Sequence, residues 1–243
     1  MNRKNGFIDV NRILNSIGIE YTDIASLKNE SRINNIETFF NTGIHLEFDY
    51  NGETYFYKYN ENINPYNELV AEELAKDYGI SCVSYDLATL NRVKGVISRN
   101  YQKKNVNYIF AKDILSDAFD GFNDGKCLNI DEYNNLDSIW AAIDYRYRGR
   151  KNKANITYHL MKQIVDIFLF DIIICQYDRH NYNWEIMEEG DNINISPLFD
   201  NERILEYREE DAFVSLSIDC VEDENLWESL EKFQQISSDE FSN

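Results

Sequence analysis

The most constraining feature of the sequence is a pair of strand-like segments joined by Asn51-Gly52. IHLEFDY alternates apolar and polar side chains, and ETYFYKYN is again rich in strand-forming residues. Asn-Gly is the residue pair most typical of a two-residue turn between antiparallel strands. We therefore predict a β-hairpin over Ile44–Tyr59, with Lys58 near the end of its second strand.

The remaining periodicity divides the chain into a β-rich first half and a helical second half. The first half is predicted to continue with a helix and two strands, at Asn67–Tyr78 (capped by Gly79), Ile80–Leu90 and Arg92–Arg99. The second half is predicted to contain helices at Ile109–Asp117, Asn135–Asp144 and Tyr158–Gln176, a hairpin of Trp184–Met187 and Ile193–Ser196, and an acidic helix at Glu222–Phe233. This pattern predicts an α+β fold of two lobes with a cleft between them, residues 1–101 and 102–243.

Composition and charge exclude several classes of protein. The net charge is −19, which repels nucleic-acid backbones, so direct nucleic-acid binding is not expected. The 4 cysteines form no CxxC motif and indicate reduced thiols of a cytosolic protein. The most apolar stretch, Ile164–Cys175, is too short to span a bilayer, and the N-terminus does not resemble a signal peptide. We expect a cytoplasmic protein, or a secreted effector without a classical signal peptide.

The segment QYDRHNYNWEIM…INISPLFDN carries the candidate chemistry. Asp178 and Asn183 follow a buried helix, and the predicted hairpin would bring Asn183 near Asp200. Asparagine and aspartate oxygens suit Mg²⁺, which binds one or two protein ligands together with phosphate oxygens. Phosphoryl transfer also needs a strand lysine for phosphate charge and a helix glutamate that positions the lysine. The chain presents all of these residue types in the order found in kinases, including the five-residue Asp-to-Asn spacing.

Each of these residues, taken singly, also fits a structural role. Lys58 could be a solvated strand lysine, and Glu68 could be surface charge on its helix. His180 could be a hydrogen-bonded structural histidine, and Asp200 could be a turn residue after Pro197. The order of the whole set is what favours a kinase.

DRHNYNW followed by SPLFDN resembles the HipA-like kinase family, and more distantly the phosphoinositide kinases, which share DRHxxN. NELVAEELAKDYGI after YFYKYN is similar to the lysine strand and the NE-containing helix of the family. The resemblance spans roughly Ile44 to Asn201 and implies a two-lobed protein-kinase-like fold, with ATP and Mg²⁺ as cofactors. It also implies a protein substrate, and an antitoxin or a separately encoded regulatory partner.

The resemblance assigns nucleotide-binding roles in the first half of the chain. Lys58 would contact the ATP phosphates, and Glu68 would pair with it, with Glu72 as the alternative. The hinge beside adenine would be formed, mainly through backbone groups, by Ser98, Arg99, Asn100 and Tyr101.

The resemblance assigns the chemical step to the second half. Asp178 would be the catalytic base, and Asn183 and Asp200 would bind Mg²⁺. His180 would brace the catalytic loop through hydrogen bonds. Arg179 would be either a loop anchor or a phosphate contact.

The sequence departs from the family pattern at three points. The expected phosphate-binding loop, Ile36–Gly43, holds a single glycine, so it offers fewer backbone amides to phosphate. Glu202 stands where many relatives have glycine after FDN. The chain is also shorter than long HipA kinases.

Three functions therefore stay open. The first is an active serine/threonine kinase, acting as a toxin of a toxin–antitoxin pair or as an effector. The second is a lipid or small-molecule kinase, which the acidic charge disfavours at anionic membranes. The third is a pseudokinase that binds nucleotide and regulates a partner.

Overall fold

The computed structural model describes residues 3–4, 6–19, 27, 33–39, 43–119, 135–176 and 178–204. The strands in these residues are β1 (Arg3–Lys4), β2 (Phe7–Asp9), β3 (Ile33–Phe39), β4 (Gly43–Tyr50), β5 (Glu53–Asn60), β6 (Tyr85–Leu90), β7 (Val93–Arg99), β8 (Asn107–Phe110), β9 (Glu185–Glu189) and β10 (Asn192–Ile195). The helices in them are α1 (Val10–Ser16), α2 (Tyr66–Tyr78), α3 (Ala111–Phe119), α4 (Leu136–Arg146) and α5 (Lys153–Ile173). The chain divides into two compact units, and residues 1–104 with 197–204 form the first.

The first unit is built on a seven-stranded sheet in the order β1-β2-β6-β7-β5-β4-β3. β4 and β5 form the predicted hairpin, and Asn51 and Gly52 have φ of 54° and 79° at its turn. Positive φ at both central residues is what a type I′ turn requires, and Asn-Gly adopts it at low cost. Lys58 lies on the inner strand β5, opposite His45 of β4 and Val96 of β7. Neighbours on both sides fix the register of the lysine.

Helix α2 matches the predicted helix to within one residue. It ends at Gly79, whose φ of 74° is the left-handed conformation that closes many helices. Glu68 and Glu72 are buried on α2 rather than exposed as surface charge. Because buried carboxylates need charged or hydrogen-bonding partners, both point to contacts with other elements.

Four elements of the described chain before the hairpin were not predicted, namely β1, β2, α1 and β3. β3 pairs antiparallel with β4, and its last residues are Ile36–Phe39. That part of the expected phosphate-binding loop is therefore strand, because its backbone groups are bonded to β4. Gly43 opens β4, and residues 40–42 lie outside the described residues.

The second unit contains residues 105–196, with strand order β10-β9-β8 and helices α3 to α5. The predicted helix at Ile109–Asp117 begins later, at Ala111, because Ile109 and Phe110 belong to β8 and pair with β9. The long apolar helix α5 is confirmed, but it begins earlier than predicted, at Lys153. The β9–β10 hairpin is also confirmed. In the described part of the chain, no helix combines the length and apolarity needed to cross a membrane.

Residues 197–204 return to the first unit beside its sheet. Leu198 donates its N–H to the Ser81 carbonyl and accepts the N–H of Val83, both at 2.8 Å. These bonds place the PLFD motif, with Asp200, in the same unit as Lys58. The predicted helix at Glu222–Phe233 lies outside the described residues.

Candidate active site

Lys58 is the centre of a partly buried cluster of charge in the first unit. Its side chain is 14% exposed, and its Nζ forms an ion pair with Glu68 Oε1. Nζ lies 2.9 Å from Asp200 Oδ1 and 3.2 Å from Glu202 Oε2. One lysine therefore meets three carboxylates, and carboxylate oxygens of all three acidic residues lie within 4.8 Å of one another.

The cluster keeps Lys58 charged. Burial lowers the pKa of Lys58, but Asp200 and Glu68 outweigh burial and raise this pKa well above its ordinary value. Burial raises the pKa of Glu202, and the nearby Asp200 raises it further, while Lys58 opposes the rise. The site is therefore a fixed ammonium group within an excess of negative charge. Hard cations with oxygen ligands are suited to such surroundings.

Glu68 connects the lysine to the PLFDN motif. Its side chain is 1% exposed, and its Oε2 accepts the main-chain N–H of Asn201 at 3.0 Å. Glu72, the alternative partner of Lys58, is engaged elsewhere: its carboxylate accepts hydrogen bonds from Ser84 Oγ at 2.8 Å and from the Tyr85 N–H at 3.0 Å. The structure thus places Glu68, and not Glu72, against Lys58.

Tyr85 forms one wall of the cluster. Lys58 Nζ lies 5.6 Å from the centroid of its ring, within the range of a cation–π contact. Burial raises the pKa of Tyr85 well above its ordinary value, and Glu68 adds to the rise. The phenol is therefore neutral at pH 7 and contributes no further negative charge.

The DRHxxN loop lies in the second unit and is held closed by Asn183. Asn183 Nδ2 donates to the Asp178 carbonyl at 2.8 Å, and its main-chain N–H donates to the His180 carbonyl at 2.9 Å. Because the amide nitrogen is used inside the loop, the side-chain oxygen of Asn183 is the atom that could bind a cation. His180 Nδ1 accepts the N–H of Tyr182 at 3.2 Å, a contact that stabilises the same turn.

Arg179 is a buried anchor of this loop. Its Nε and Nη2 donate to the two carboxylate oxygens of Asp171 at 3.0 and 2.9 Å, and both side chains are 0% exposed. A third donor, Nη1, reaches the Asn183 carbonyl at 3.1 Å. Burial raises the pKa of Asp171, and the guanidinium opposes that rise. Of the two roles expected for Arg179, this geometry supports the loop anchor.

The predicted hinge spans the end of β7, with Ser98 and Arg99 in the strand and Asn100 and Tyr101 after it. Ser98 is buried, and Arg99 forms an ion pair with an acidic residue of β5. The N–H of Asn100 donates to a β5 carbonyl at 2.8 Å, so this amide is used within the unit. The ring of Tyr101 stacks on Phe199, beside the PLFD motif, with 5.9 Å between centroids. A role of these residues beside adenine stays a prediction.

The structure brings some predicted residues together and assigns others to separate units. Lys58, Glu68 and Asp200 meet in the first unit, while Asp178 and Asn183 share the loop of the second. The oxygen-rich donors of both groups fit Mg²⁺, and the lysine fits a phosphate group.

Several site residues were missed from the sequence. They lie against the predicted ones and include Asn67, Tyr85, Asp171 and Asn201. Asn201 lies inside the PLFDN motif and Asn67 inside NE, so the motifs contained them without indicating what they contact.

Comparison with known proteins supports the fold. No protein-family model and no curated protein matches the chain. Among solved structures, the chain is similar to the Helicobacter pylori proinflammatory kinase CtkA, with a TM-score of 0.52 and 21% identity over 70% of this chain. It also matches HipA from a Shewanella oneidensis MR-1 toxin–antitoxin complex with HipB and operator DNA, with a TM-score of 0.46 and 13% identity over 80% of this chain. The matches span 57% of the CtkA chain and 50% of the HipA chain.

The likeness to CtkA, with the arrangement of strands and helices, defines the class of fold. The chain has a protein-kinase-like α+β fold with a β-rich first unit and a helical second unit. At this level of identity the likeness shows the fold alone, and the activity has to be argued from the residues.

Proposed function

We propose that the chain is an ATP-dependent serine/threonine protein kinase of the HipA-like type. The observation that carries the proposal is the contact of Lys58 with both Glu68 and Asp200. Kinases need a strand lysine that is oriented by a helix glutamate and lies next to a metal-binding aspartate. A solvated strand lysine would not be enclosed by three acidic side chains.

The residues of the chain divide the work of phosphoryl transfer in this proposal. Lys58 binds phosphate oxygens and Glu68 keeps the ammonium in place. Asp200 and Asn183 would hold Mg²⁺, which would supply positive charge to offset the negative charge of the phosphates. Asp178 orients the acceptor hydroxyl and takes its proton as the hydroxyl oxygen bonds to the γ-phosphorus and the bond to ADP breaks.

The buried Arg179–Asp171 pair positions the catalytic loop for this step. Arg179 ties helix α5, which carries Asp171, to the carbonyl of Asn183. A base must lie within hydrogen-bond reach of the proton that it removes. A loop with a fixed backbone therefore lowers the entropic cost of aligning Asp178 with the acceptor hydroxyl. Arg179 thereby acts on the reaction through the loop rather than through phosphate.

The biological role in the proposal follows from the resemblance of the sequence motifs. The acceptor is a serine or threonine of a protein, and an antitoxin or a separately encoded partner regulates the kinase. The net charge of −19 disfavours nucleic acid as a direct ligand of this chain and is compatible with a cytoplasmic kinase.

Intact-mass spectrometry after incubation with ATP and Mg²⁺ tests the proposal. We expect a phosphate adduct, on the chain itself or on an added protein, with the wild type but not with Asp178→Asn. Asp191→Asn, an exposed aspartate in the β9–β10 turn, is the matched control and should behave as the wild type. Equal phosphorylation by wild type and Asp178→Asn would show that Asp178 is not the base.

The alternative function is a nucleotide-binding regulatory module. The observation that favours it is Glu202, which contacts Lys58 where a phosphate would have to bind. ATP binding by calorimetry without any phosphate adduct, across protein and small-alcohol acceptors, would support this alternative. Transfer to a lipid or to a small alcohol would instead identify the acceptor class.

A further inference from the structure

The first turn of α2 holds the segment that carries Asp200. Asn67 Nδ2 donates a hydrogen bond to the Glu202 carbonyl at 2.6 Å and reaches the carbonyl two residues further on at 3.3 Å. The adjacent Glu68 accepts the main-chain N–H of Asn201 at 3.0 Å. Two neighbouring side chains of one helix therefore bind the main chain immediately after the metal-binding aspartate.

Asp200 needs such support because of its backbone conformation. Its φ is 59°, in the left-handed region, which carries a steric cost for residues other than glycine, although aspartate enters it more readily than most. An unfavourable conformation of this kind persists only where the surrounding structure imposes it. The side chain of Asp200 is 41% exposed and pairs with Lys58, and its main chain hydrogen-bonds to Tyr85. The bonds from Asn67 and Glu68 to the following main chain add to this support.

The partners of this segment are themselves well fixed. Asn201 is fully buried, and its Nδ2 contacts Glu68 Oε2 at 3.4 Å and Cys82 Sγ at 3.5 Å. Glu68 is also buried and pairs with Lys58 through its other oxygen. A change in the position of the helix would therefore reach Asp200 and Lys58 together.

We propose that Asn67 is a positioning residue which, with Glu68, holds Asp200 in the left-handed conformation and so aims its carboxylate at the bound cation. The role of the cation rests on the proposed kinase function, whereas the effect on the backbone does not. Because Asn67 and Glu68 are neighbours on α2, the contact of Glu68 with Lys58 and the backbone conformation of Asp200 depend on the same turn of helix. Helix α2 then sets both the phosphate side and the metal side of the site.

Amide hydrogen exchange of the full chain without nucleotide tests the structural part. Asn67→Ala should raise the exchange rate at Asn201 by about tenfold, as expected for the loss of supporting hydrogen bonds in one segment. Exchange at Ala75, buried later in α2, should be unchanged and so report that the helix is folded. Val70→Ala is the matched control, because Val70 is 39% exposed on the same helix. Equal exchange at Asn201 in both variants would overturn the proposal.

Asn67→Asp is a second variant, and it keeps the size of the side chain. An acidic residue is also favourable in the first turn of a helix, so the helix should be retained. Its carboxylate cannot donate to carbonyls, so it should raise exchange at Asn201 as Asn67→Ala does. Wild-type exchange in Asn67→Asp would contradict the proposed donor role.

Calorimetric titration of Mg²⁺ at a fixed ATP concentration tests the functional part. In Asn67→Ala we expect the apparent Mg²⁺ affinity to fall by about tenfold, while binding of ATP in EDTA stays within about twofold. General destabilisation would weaken both, and such a result would overturn the positioning role. If the wild type bound no nucleotide, the kinase proposal would fail, and the exchange experiment would still decide whether Asn67 holds the segment.

Discussion

Replacing Glu202 with glutamine tests the proposal that the cluster around Lys58 controls nucleotide binding. Glu202 Oε2 lies 3.2 Å from Lys58 Nζ, and two unit charges at that distance interact by about 5 kcal/mol at an effective dielectric constant of about 20. Phosphate must replace this contact and lie beside the same carboxylate. Because solvent reaches part of the site, we expect a net effect of about 1.4–2.8 kcal/mol. ATP should then bind roughly ten- to a hundredfold more tightly to Glu202→Gln in the absence of Mg²⁺.

Isothermal titration calorimetry in EDTA measures this effect directly. The matched control is Glu61→Gln, which removes one negative charge from an exposed position just after β5. The control should change ATP affinity by less than about threefold, because exposed charges are largely screened. Affinity in Glu202→Gln no higher than in Glu61→Gln would refute the reasoning that Glu202 competes with phosphate for Lys58.

The same substitution has a consequence for stability that depends on pH. The pKa of Glu202 is raised from 4.5, first by burial, so the folded state binds this proton more tightly than the unfolded state. The contribution of Glu202 to stability therefore falls as pH rises from about 4.5 through the raised pKa of the folded state. Glu202→Gln should have a higher urea midpoint than the wild type at pH 7, and the difference should shrink towards pH 4.5. A difference that does not vary with pH would contradict this account.

Further predictions concern the supports of the site. Arg179→Met leaves Asp171 buried without its partner and should lower the free energy of unfolding by about 3–5 kcal/mol in urea denaturation, whereas Arg179→Met combined with Asp171→Leu should recover most of that loss. Gly95→Ala would place a Cβ 2.3 Å from the Lys58 carbonyl, so we expect a loss of about 1–3 kcal/mol by the same assay. Lys58→Met should abolish Mg²⁺-dependent ATP binding in calorimetry, while near-UV circular dichroism shows whether tertiary structure is kept.

The sequence predicted elements well wherever a local signal marked both ends. The hairpin with Asn51-Gly52 was predicted correctly because only a few residue pairs favour that turn. The end of helix α2 was predicted correctly because Gly79 closes it in the left-handed conformation, and its start was predicted to within one residue. The start of α3 was misplaced, because Ile109 and Phe110 are apolar and suit either element, and the choice is made by pairing with β9 far along the chain.

Contacts between distant residues were beyond the sequence for a related reason. The resemblance assigned Glu68 as the partner of Lys58, but it kept Glu72 as the alternative because the two glutamates lie one turn apart on the same helix. Burial and the position of Asn201 decide for Glu68. Glu202 was noted in the sequence as a departure from the family pattern. Its contact with Lys58 could not be predicted, because that contact depends on how residues 197–204 return to the sheet.

The excess of carboxylates explains why such a site would favour a nucleotide bound to a cation. Glu68, Asp200 and Glu202 together carry three negative charges against the single positive charge of Lys58, so a bare triphosphate meets net repulsion. A divalent cation reverses the sign of that interaction, because it binds carboxylate and phosphate oxygens at once. Glycine after FDN would remove one of the three charges and weaken this dependence. We therefore expect Glu202 to favour the magnesium complex over free ATP, and comparing the ATP affinity of Glu202→Gln and the wild type with and without Mg²⁺ measures that preference.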